Sequence, residues 1–172
     1  MEQALQKKIT KEYPYKLCFV CLGNICRSPT AEGIFQHLVN ERGYQSYFEV
    51  DSAGTSAYHV GESANSKSQQ IANKHGVQLH SKSRKFEYGD LEYFDLVLAM
   101  DHDNLQNVKN LDRKNRFSEK IGLMRDFDPQ PGDGAVPDPY YGGKQGFENV
   151  FQVVKRSCES LLDELEQQIE EE

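Results

Sequence analysis

A thiol, a guanidinium and a hydroxyl fall within one eight-residue segment of the sequence, Cys21-Leu22-Gly23-Asn24-Ile25-Cys26-Arg27-Ser28. The planar fork of Arg27 can hold two oxygens of a phosphate group, which a lysine could not do. A site that attracts a phosphate dianion also favours the thiolate form of Cys21, and a thiolate is a nucleophile. The segment therefore indicates nucleophilic chemistry on a phosphate-like anion.

The elements on either side of this segment are those needed to position it. The apolar run at 16–21 predicts a buried strand, and the apolar spacing at 29–42 predicts a helix whose first turn contains Pro29. The unpaired N–H groups of a helix N-terminus favour anions, and Gly23 lets the backbone curl toward one. We expect Cys21 at the floor of an anion-binding loop.

Two other side chains of the segment have predicted supporting roles. Ser28 is placed to donate a hydrogen bond to the thiolate of Cys21 and so to stabilise sulfur as a leaving group. Asn24 is a candidate for holding the curled backbone through its side-chain amide. The alternative is that Cys21 merely ends a buried strand and Arg27 is a surface residue, which the strand–loop–helix context makes the weaker interpretation.

The rest of the chain alternates strand-like and helix-like segments. Further strands are predicted at 47–50, 95–100 and 120–124, and further helices at 63–74, from about 102 and from about 146. This alternation predicts an α/β sandwich with a mostly parallel sheet. The segment 126–146 is rich in proline and glycine and is predicted to be a functional loop.

That loop contains the candidate proton donor. It carries Asp126, Asp128, Asp133 and Asp138, of which Asp138 stands between two prolines that restrict the backbone on both sides. From spacing alone, Asp138 is equally well interpreted as a turn residue. Asp101, which follows the third predicted strand, is predicted to cap the next helix.

Charge and composition exclude several classes of protein. The net charge is −7, but all of the excess lies in seven acidic residues at 159–172, since 1–158 carry 20 residues of each sign. The sequence has no basic stripe for nucleic acid, no apolar run long enough to span a membrane and no secretory signal at its start. We therefore expect a cytoplasmic protein with reduced thiols and with neither a nucleic-acid nor a membrane partner.

The pair Cys18 and Cys21 spells C-x-x-C but does not predict a redox or zinc site. Residues three apart in a strand point to opposite faces, and the sequence lacks a set of about four ligands with zinc spacing. Cys18 and Cys158 are predicted to be buried packing residues.

The quoted segment resembles the active-site loop of the low-molecular-weight protein tyrosine phosphatases. The resemblance covers about residues 16–165 and rests on CLGNICRSPTAEGIF, DSAGTSAYHVGESA, HGVQL, DLVLAMD and PDPYYGG, in this order. It implies a flavodoxin-like three-layer sandwich with a four-stranded parallel sheet, order 2-1-3-4, flanked by helices. It also implies hydrolysis of phosphotyrosine and other aryl phosphate monoesters through a phosphocysteine intermediate, with no metal and no cofactor.

The resemblance assigns roles to individual residues. It implies that Cys21, Arg27 and Asp138 are catalytic, as nucleophile, phosphate-binding arginine and general acid. It implies that the phosphate loop is completed by Leu22, Gly23, Asn24, Ile25, Cys26 and Ser28, and that the substrate cleft is lined by Tyr58, Tyr140 and Tyr141. A reversible disulfide between Cys21 and Cys26, protecting the nucleophile from overoxidation, is implied as well.

The organisation predicted for the chain is simple. Residues 1–14 are expected to be a flexible N-terminal extension, and 15–172 a single phosphatase domain that ends in an acidic helix. The expected partners are proteins containing phosphotyrosine, and the expected assembly is a monomer or a weak dimer.

Three alternatives and one departure from the family pattern accompany this interpretation. Arsenate reductase chemistry is disfavoured because residues 27–157 contain no cysteine. A non-catalytic phospho-ligand module and a preference for phosphoarginine or small aryl phosphates stay open, although the aliphatic Ile25 favours phosphotyrosine over phosphoarginine. Ser81 stands where the family usually has a histidine that supports the loop, so other groups are expected to orient Ser28.

Overall fold

The computed structural model describes residues 1–171, with the side chain of Tyr141 not among them. The strands are β1 (Tyr15–Cys21), β2 (Phe48–Gly54), β3 (Leu96–Ala99) and β4 (Ile121–Leu123). The helices are α1 (Glu2–Leu5), α2 (Arg27–Glu41), α3 (Ser66–Lys74), α4 (Tyr88–Tyr93), α5 (His102–Leu111) and α6 (Gly143–Leu165).

The four strands form one parallel sheet in the order β2-β1-β3-β4. This confirms the predicted α/β fold and strand order. Parallel strands end at the same edge of a sheet, so the loops that follow β1, β2 and β3 meet there. The sheet order therefore places the segment after β1 between the loops of its two neighbours.

Alternation along β1 divides the core between the two faces of the sheet. Tyr15, Leu17 and Phe19 belong to the cluster that includes α2 and α6, whereas Cys18 and Val20 belong to the cluster with α4 and α5. All five side chains are fully buried. Helices cover both faces of the sheet, which explains why this central strand is apolar at nearly every position.

Several elements differ from the predictions in their boundaries, and one was not predicted. β2 runs on to Gly54, beyond the predicted end at residue 50, because the Ser-Ala-Gly sequence that follows is buried and paired with β1. α6 begins at Gly143, inside the predicted loop, while 3-10 turns occupy Met124–Phe127 and Pro139–Tyr141 of the same region. The short helix α4 was not predicted; Glu87 and Asp90 form a reciprocal capping box at its start.

The N-terminal segment lies against the domain. Ile9 is fully buried, its N–H donates to the carbonyl of Gln168, and its own carbonyl accepts from the N–H of Glu170. The Tyr15 hydroxyl donates to the carbonyl of Ala4 at 2.9 Å. These contacts join the two ends of the described chain, and the division into an extension and a domain at residue 14 stays a prediction.

No helix within residues 1–171 has the length and apolar character needed to cross a membrane.

Candidate active site

The phosphate-loop candidate occupies the turn between β1 and α2. Cys21 is the last residue of β1, and Arg27 is the first of α2, two residues earlier than the sequence predicted for the helix start. Cys21 is paired in register with Gly54 at the end of β2. The loop is therefore attached to two strands and one helix, and its ends are fixed by regular structure.

Backbone carbonyls of the loop point outward. The carbonyls of Cys21 and Leu22 accept from the N–H groups of Thr55 and Ser56, each at 2.9 Å. The carbonyl of Gly23 accepts from the Ser83 hydroxyl at 2.9 Å, and that of Ile25 accepts from the N–H of Asn65 at 2.7 Å.

These outward hydrogen bonds determine what the loop presents inward. In a trans peptide the C=O and the following N–H point in opposite directions. Since four carbonyls of the loop are bound from outside, the next N–H groups are directed toward its centre. The loop is thereby organised as a concave site for an anion, held by the segments that follow β2 and α3.

Two backbone positions make this curvature sterically feasible. Asn24 has φ of 56°, in the left-handed region that asparagine tolerates better than most residues. A Cβ atom on Gly54 would lie 2.7 Å from the carbonyl oxygen of Leu22, so the end of β2 can approach the loop only as glycine. The left-handed residue of the loop is therefore Asn24, one position after the predicted bend at Gly23, and a glycine on the neighbouring strand makes room for it.

Hydrogen bonds bring Cys21, Ser28 and Asn24 together below the loop. The Cys21 sulfur and the Ser28 hydroxyl are 3.0 Å apart. Asn24 Nδ2 donates to Ser28 Oγ at 2.8 Å, and Ser28 Oγ lies 3.4 Å from the carbonyl oxygen of Ala53. The structure thus places the serine where it can donate to the sulfur, as expected from the sequence.

The Asn24 side chain is held at its oxygen as well. Its Oδ1 accepts from the backbone N–H of Arg84 at 3.0 Å. The backbone N–H of Arg84 and the hydroxyl of Ser83 therefore support this loop from the segment that follows α3.

Arg27 is buried and anchored. Its Nη1 donates to Asp101 Oδ2 at 2.7 Å and to the carbonyl of Val136 at 3.1 Å, and the side chain is 5% exposed. The other carboxylate oxygen of Asp101 accepts from the N–H of Asn104, which confirms Asp101 as the N-cap of α5. The Asp101 carboxylate thus connects Arg27 to the start of α5, the helix that follows β3.

A single cleft opens above the loop. It is lined by Cys21, Leu22, Gly23, Ile25, Cys26, Arg27, Ser56, Tyr58, His59, Asp138 and Tyr140. The cleft brings the three predicted catalytic residues together with two predicted tyrosines, while Asn24 and Ser28 lie below it, buried. The third predicted tyrosine, Tyr141, has a side chain outside the described residues.

The mouth of the cleft carries the predicted acid and the two tyrosines. Tyr58 is 88% exposed and Tyr140 is 72% exposed, so both rings stand at the surface. Asp138 caps the 3-10 turn Pro139–Tyr141, with its Oδ1 accepting from the N–H of Tyr140 at 3.0 Å. The prolines and this cap hold the carboxyl group beside the cleft.

Some residues of the site were not predicted from the sequence. His59 and Ser56 line the cleft, and the His59 ring is 2.5 Å from a carboxylate oxygen of Glu62. Ser52, on β2, accepts from Asn24 Nδ2 at 2.9 Å. Only the pairing of β1 with β2 reveals that the DSAGTS segment supports the anion site.

The other cysteines differ in their surroundings. Burial raises the pKa of the Cys26 thiol to about 11, while a hydrogen bond from Ser68 acts in the opposite direction. Burial raises the pKa of Cys18 well above its usual value. Cys18 and Cys158 are both fully buried, which confirms them as packing residues, and Cys18 lies on the opposite face of the sheet from Cys21.

The sheet order and the Cys-x5-Arg loop between strand and helix define a small α/β protein with a cysteine at the floor of an anion site. A family model described as low molecular weight phosphotyrosine protein phosphatase matches residues 16–171. The low molecular weight protein-tyrosine-phosphatase of Streptomyces coelicolor is 40% identical over 158 residues, 91% of this chain and 96% of that protein. The chain belongs to this family.

Solved structures agree with that assignment. The protein tyrosine phosphatase of Entamoeba histolytica, determined with Hepes in its active site, has a TM-score of 0.84 at 40% identity, covering 89% of this chain and 97% of that one. The Drosophila arginine phosphatase has a TM-score of 0.80 at 34% identity, covering 86% and 96% of the two chains. The predicted family is therefore confirmed.

Proposed function

We propose that this protein is a metal-independent protein tyrosine phosphatase that hydrolyses aryl phosphate monoesters through a phosphocysteine intermediate. The observation that carries the proposal is the convergence of Cys21, Arg27 and Asp138 on one cleft. Membership of the family supports it independently.

The first chemical step transfers the phosphoryl group to sulfur. The Cys21 thiolate attacks phosphorus in line, a P–S bond forms, and the P–O bond to the phenol breaks. Inward N–H groups of the loop and the Arg27 guanidinium stabilise charge on the three non-reacting oxygens. Asp138 gives its proton to the departing phenolate oxygen, which leaves as the neutral phenol.

The second step releases phosphate. Asp138, now ionised, accepts a proton from water as the water oxygen attacks phosphorus. The P–S bond breaks, its electron pair returns to Cys21, and inorganic phosphate leaves. The Ser28 hydroxyl, 3.0 Å from the sulfur, stabilises the developing thiolate in this step.

The walls of the cleft support phosphotyrosine as the substrate. Tyr58 and Tyr140 flank the mouth, where a flat phenyl ring can stack between aromatic groups. Leu22 and Ile25 add aliphatic surface. Proteins bearing phosphotyrosine are therefore the proposed partners, and the thiolate chemistry requires a reducing compartment such as the cytoplasm.

Phosphoarginine is the second candidate substrate. The structural similarity to the Drosophila arginine phosphatase favours it, since 34% identity and a TM-score of 0.80 relate the two chains. The bulky Ile25 in the loop argues for the aryl ester, because a guanidinium needs polar partners that an aliphatic side chain cannot offer.

A panel of phosphopeptides tests the proposal. Phosphate release is measured from matched phosphotyrosine, phosphoserine and phosphoarginine peptides, in EDTA and reductant. The enzyme forms are wild type, Cys21→Ser and Cys158→Ala, a control at a cysteine buried away from the cleft. We expect release from phosphotyrosine that Cys21→Ser abolishes and Cys158→Ala retains.

Other outcomes of the panel have definite meanings. Preferential release from phosphoarginine would identify phosphoarginine, and not phosphotyrosine, as the substrate. Activity that persists in Cys21→Ser contradicts the phosphocysteine mechanism, and activity that EDTA removes contradicts metal independence. No release from any peptide refutes the proposed function.

A further inference from the structure

A carboxylate not used by the mechanism lies below the anion loop. Glu32 is on α2, one turn after Ser28, and its Oε1 accepts from the Ser52 hydroxyl at 2.7 Å. Burial raises the pKa of Glu32 to about 7, against the opposing effect of that hydrogen bond. A carboxyl group that is partly ionised near neutral pH is thus built into the support of the site.

An unbroken series of hydrogen bonds connects this carboxylate with the proposed nucleophile. Asn24 Nδ2 lies 2.9 Å from Ser52 Oγ and 2.8 Å from Ser28 Oγ, and Ser28 Oγ lies 3.0 Å from the Cys21 sulfur. With the 2.7 Å contact of Glu32 to Ser52, the series is complete. Its three middle residues and the sulfur are at most 3% exposed, so water has little access to these hydrogen bonds.

The other charged groups near Glu32 come from three elements. Asp51 on β2 raises the pKa of Glu32 further, and Arg84, from the segment before α4, lowers it. The Arg84 guanidinium is shared with Asp51 and with Asp90 of α4, at 3.0–3.2 Å. Cys18 on β1 also lies close and carries a raised pKa, so it adds no charge near neutrality.

We infer that Glu32 is a positioning residue for Cys21, acting through the hydrogen-bonded side chains of Ser52, Asn24 and Ser28. Loss or gain of its proton changes the reactivity of the thiolate. The inference rests on the proposed role of Cys21 as nucleophile, and it adds a titratable group to that site.

The direction of each hydrogen in the series explains the coupling. Ionised Glu32 accepts the Ser52 hydrogen, so a lone pair of Ser52 is available to Asn24. The two Nδ2 hydrogens of Asn24 are then divided between Ser52 and Ser28. Because Ser28 accepts from Asn24, its own hydrogen is free to be donated, and the Cys21 sulfur at 3.0 Å is nearer than the Ala53 carbonyl oxygen at 3.4 Å.

Protonation of Glu32 weakens this arrangement at its far end. A neutral carboxyl group is a poorer acceptor than a carboxylate, so Ser52 and then Asn24 are held less firmly. Ionised Glu32 holds Ser52 and Asn24 in place and so keeps the Ser28 hydroxyl directed at the sulfur, where its hydrogen bond to the thiolate is better formed. A thiolate that is better stabilised is a weaker nucleophile and a better leaving group.

Alkylation of Cys21 with iodoacetamide measures this coupling without any phosphoryl transfer. The rate is followed between pH 4 and 9 by mass spectrometry of the peptide containing Cys21. Glu32→Gln keeps the shape of the side chain but cannot ionise, so dividing the wild-type rate by the rate of this variant at each pH removes the ionisation of the thiol itself. We expect this ratio to fall about threefold as the pH rises through 7, the size of a modest change in one hydrogen bond.

Two further variants separate the hydrogen-bonded route from a through-space charge. Ser52→Ala interrupts the series while Glu32 still titrates, and its rate relative to Glu32→Gln should not vary through pH 7. Glu41→Gln, at an exposed carboxylate of the same helix, should keep the wild-type profile. A ratio of wild type to Glu32→Gln that rises through pH 7, or a step that persists in Ser52→Ala, would show a direct electrostatic effect and overturn the inference.

A direct titration covers the case in which a variant does not fold. The carboxyl carbon of Glu32 in the wild-type protein is followed by carbon-detected NMR, and a midpoint near pH 7 is expected. A midpoint below 5 overturns the inference. An inactive protein that still has the alkylation step refutes the proposed function alone, whereas an active one without the step refutes only the role of Glu32.

Discussion

Arg27 and Asp101 form an ion pair at 2.7 Å that connects the loop after β1 to the start of α5. The arginine is 5% exposed and the aspartate 25%, so the pair is shielded from solvent on one side only. The contact uses Nη1 of Arg27, a side chain that also lines the cleft. Asp101 therefore fixes the direction from which the guanidinium meets an anion.

Replacing Asp101 by Asn should impair anion binding more than folding. Asparagine is also a good N-cap, so α5 keeps its cap while Arg27 loses a charged partner. We expect the KM for an aryl phosphate and the inhibition constant of inorganic phosphate to rise together by about tenfold. This factor corresponds to the free energy of one hydrogen bond to a charged group. Steady-state kinetics measure both constants.

The control for this substitution is Asp103→Asn, in the first turn of the same helix. It should leave both constants unchanged. Asp101→Ala, which also removes the cap, should lose about 1 kcal/mol more in the free energy of unfolding. Unchanged phosphate affinity in Asp101→Asn would show that the charge of Asp101 is not needed to orient Arg27.

Replacing Asp138 by Asn should separate poor leaving groups from good ones. A phenol of high pKa needs a proton as the P–O bond breaks, whereas a nitrophenolate leaves without one. We expect kcat/KM for phenyl phosphate to fall by about 100-fold or more and that for p-nitrophenyl phosphate by far less. The matched control is Asp133→Asn, because the Asp133 carboxylate also accepts from a backbone N–H in the same loop. An equal loss on both substrates would remove Asp138 from the role of acid.

Replacing Tyr58 by Ala should weaken selection of an aryl group without affecting the anion loop. The ring stands at the mouth of the cleft and is 88% exposed, so its removal creates no cavity in the core. We expect kcat/KM for a phosphotyrosine peptide to fall about tenfold, typical of losing an aromatic contact. Inhibition by inorganic phosphate should not change. Tyr13→Ala, at an exposed tyrosine outside the cleft, is the control, and equal effects of the two would deny Tyr58 a role in recognition.

The loop itself was predictable because its chemistry is local in sequence. Cys21, Arg27 and Ser28 lie within eight positions, between a strand and a helix that their apolar spacing predicts. The anchoring groups were not predictable in the same way. Ser83 reaches the Gly23 carbonyl across 60 positions, and the link from Asn24 to Ser52 spans 28. Such partners depend on strand pairing, which no local pattern contains.

The burial of Glu32 could not be predicted from the sequence either. Glu32 is one of several charged residues on a helix, and its spacing gives no sign that it faces a strand rather than solvent. Its contact with Ser52 depends on β2 continuing to Gly54, beyond the predicted end of that strand. The same extension explains why Gly54 must be glycine, so one boundary error concealed two features of the site.

Replacing Cys26 by Ser should make oxidation of the site irreversible. Cys26 lines the same cleft as Cys21, and its buried thiol, with a pKa of about 11, is itself largely protonated at neutral pH. We expect peroxide to convert the Cys21 thiolate to a sulfenic acid, which condenses with the Cys26 thiol to form a disulfide and release water. Without Cys26, the sulfenic acid should react with further peroxide to give the sulfinic acid, which dithiothreitol does not reduce. After prolonged exposure to excess peroxide, wild-type activity should therefore return with dithiothreitol and Cys26→Ser activity should not. Full recovery of the variant would contradict this protective role.

The raised pKa of Glu32 also predicts how stability depends on pH. Because the carboxyl group has a pKa of about 7 in the folded state and an ordinary pKa of 4.5 in the unfolded chain, the folded state binds more protons between these two pH values. Its contribution is fully present below about pH 4.5 and is lost as the pH rises through 7.

Urea unfolding of wild type and Glu32→Gln at pH 5, 6, 7 and 8 measures this loss. The wild-type free energy of unfolding should fall relative to the variant by about 1–3 kcal/mol between pH 5 and 7 and then stay level. Glu41→Gln should follow the wild type, because that carboxylate is exposed. A difference between wild type and Glu32→Gln that does not vary with pH would mean that Glu32 is already ionised at pH 5. In that case the carboxylate would be a fixed part of the loop support, and its proton could not change the state of Cys21.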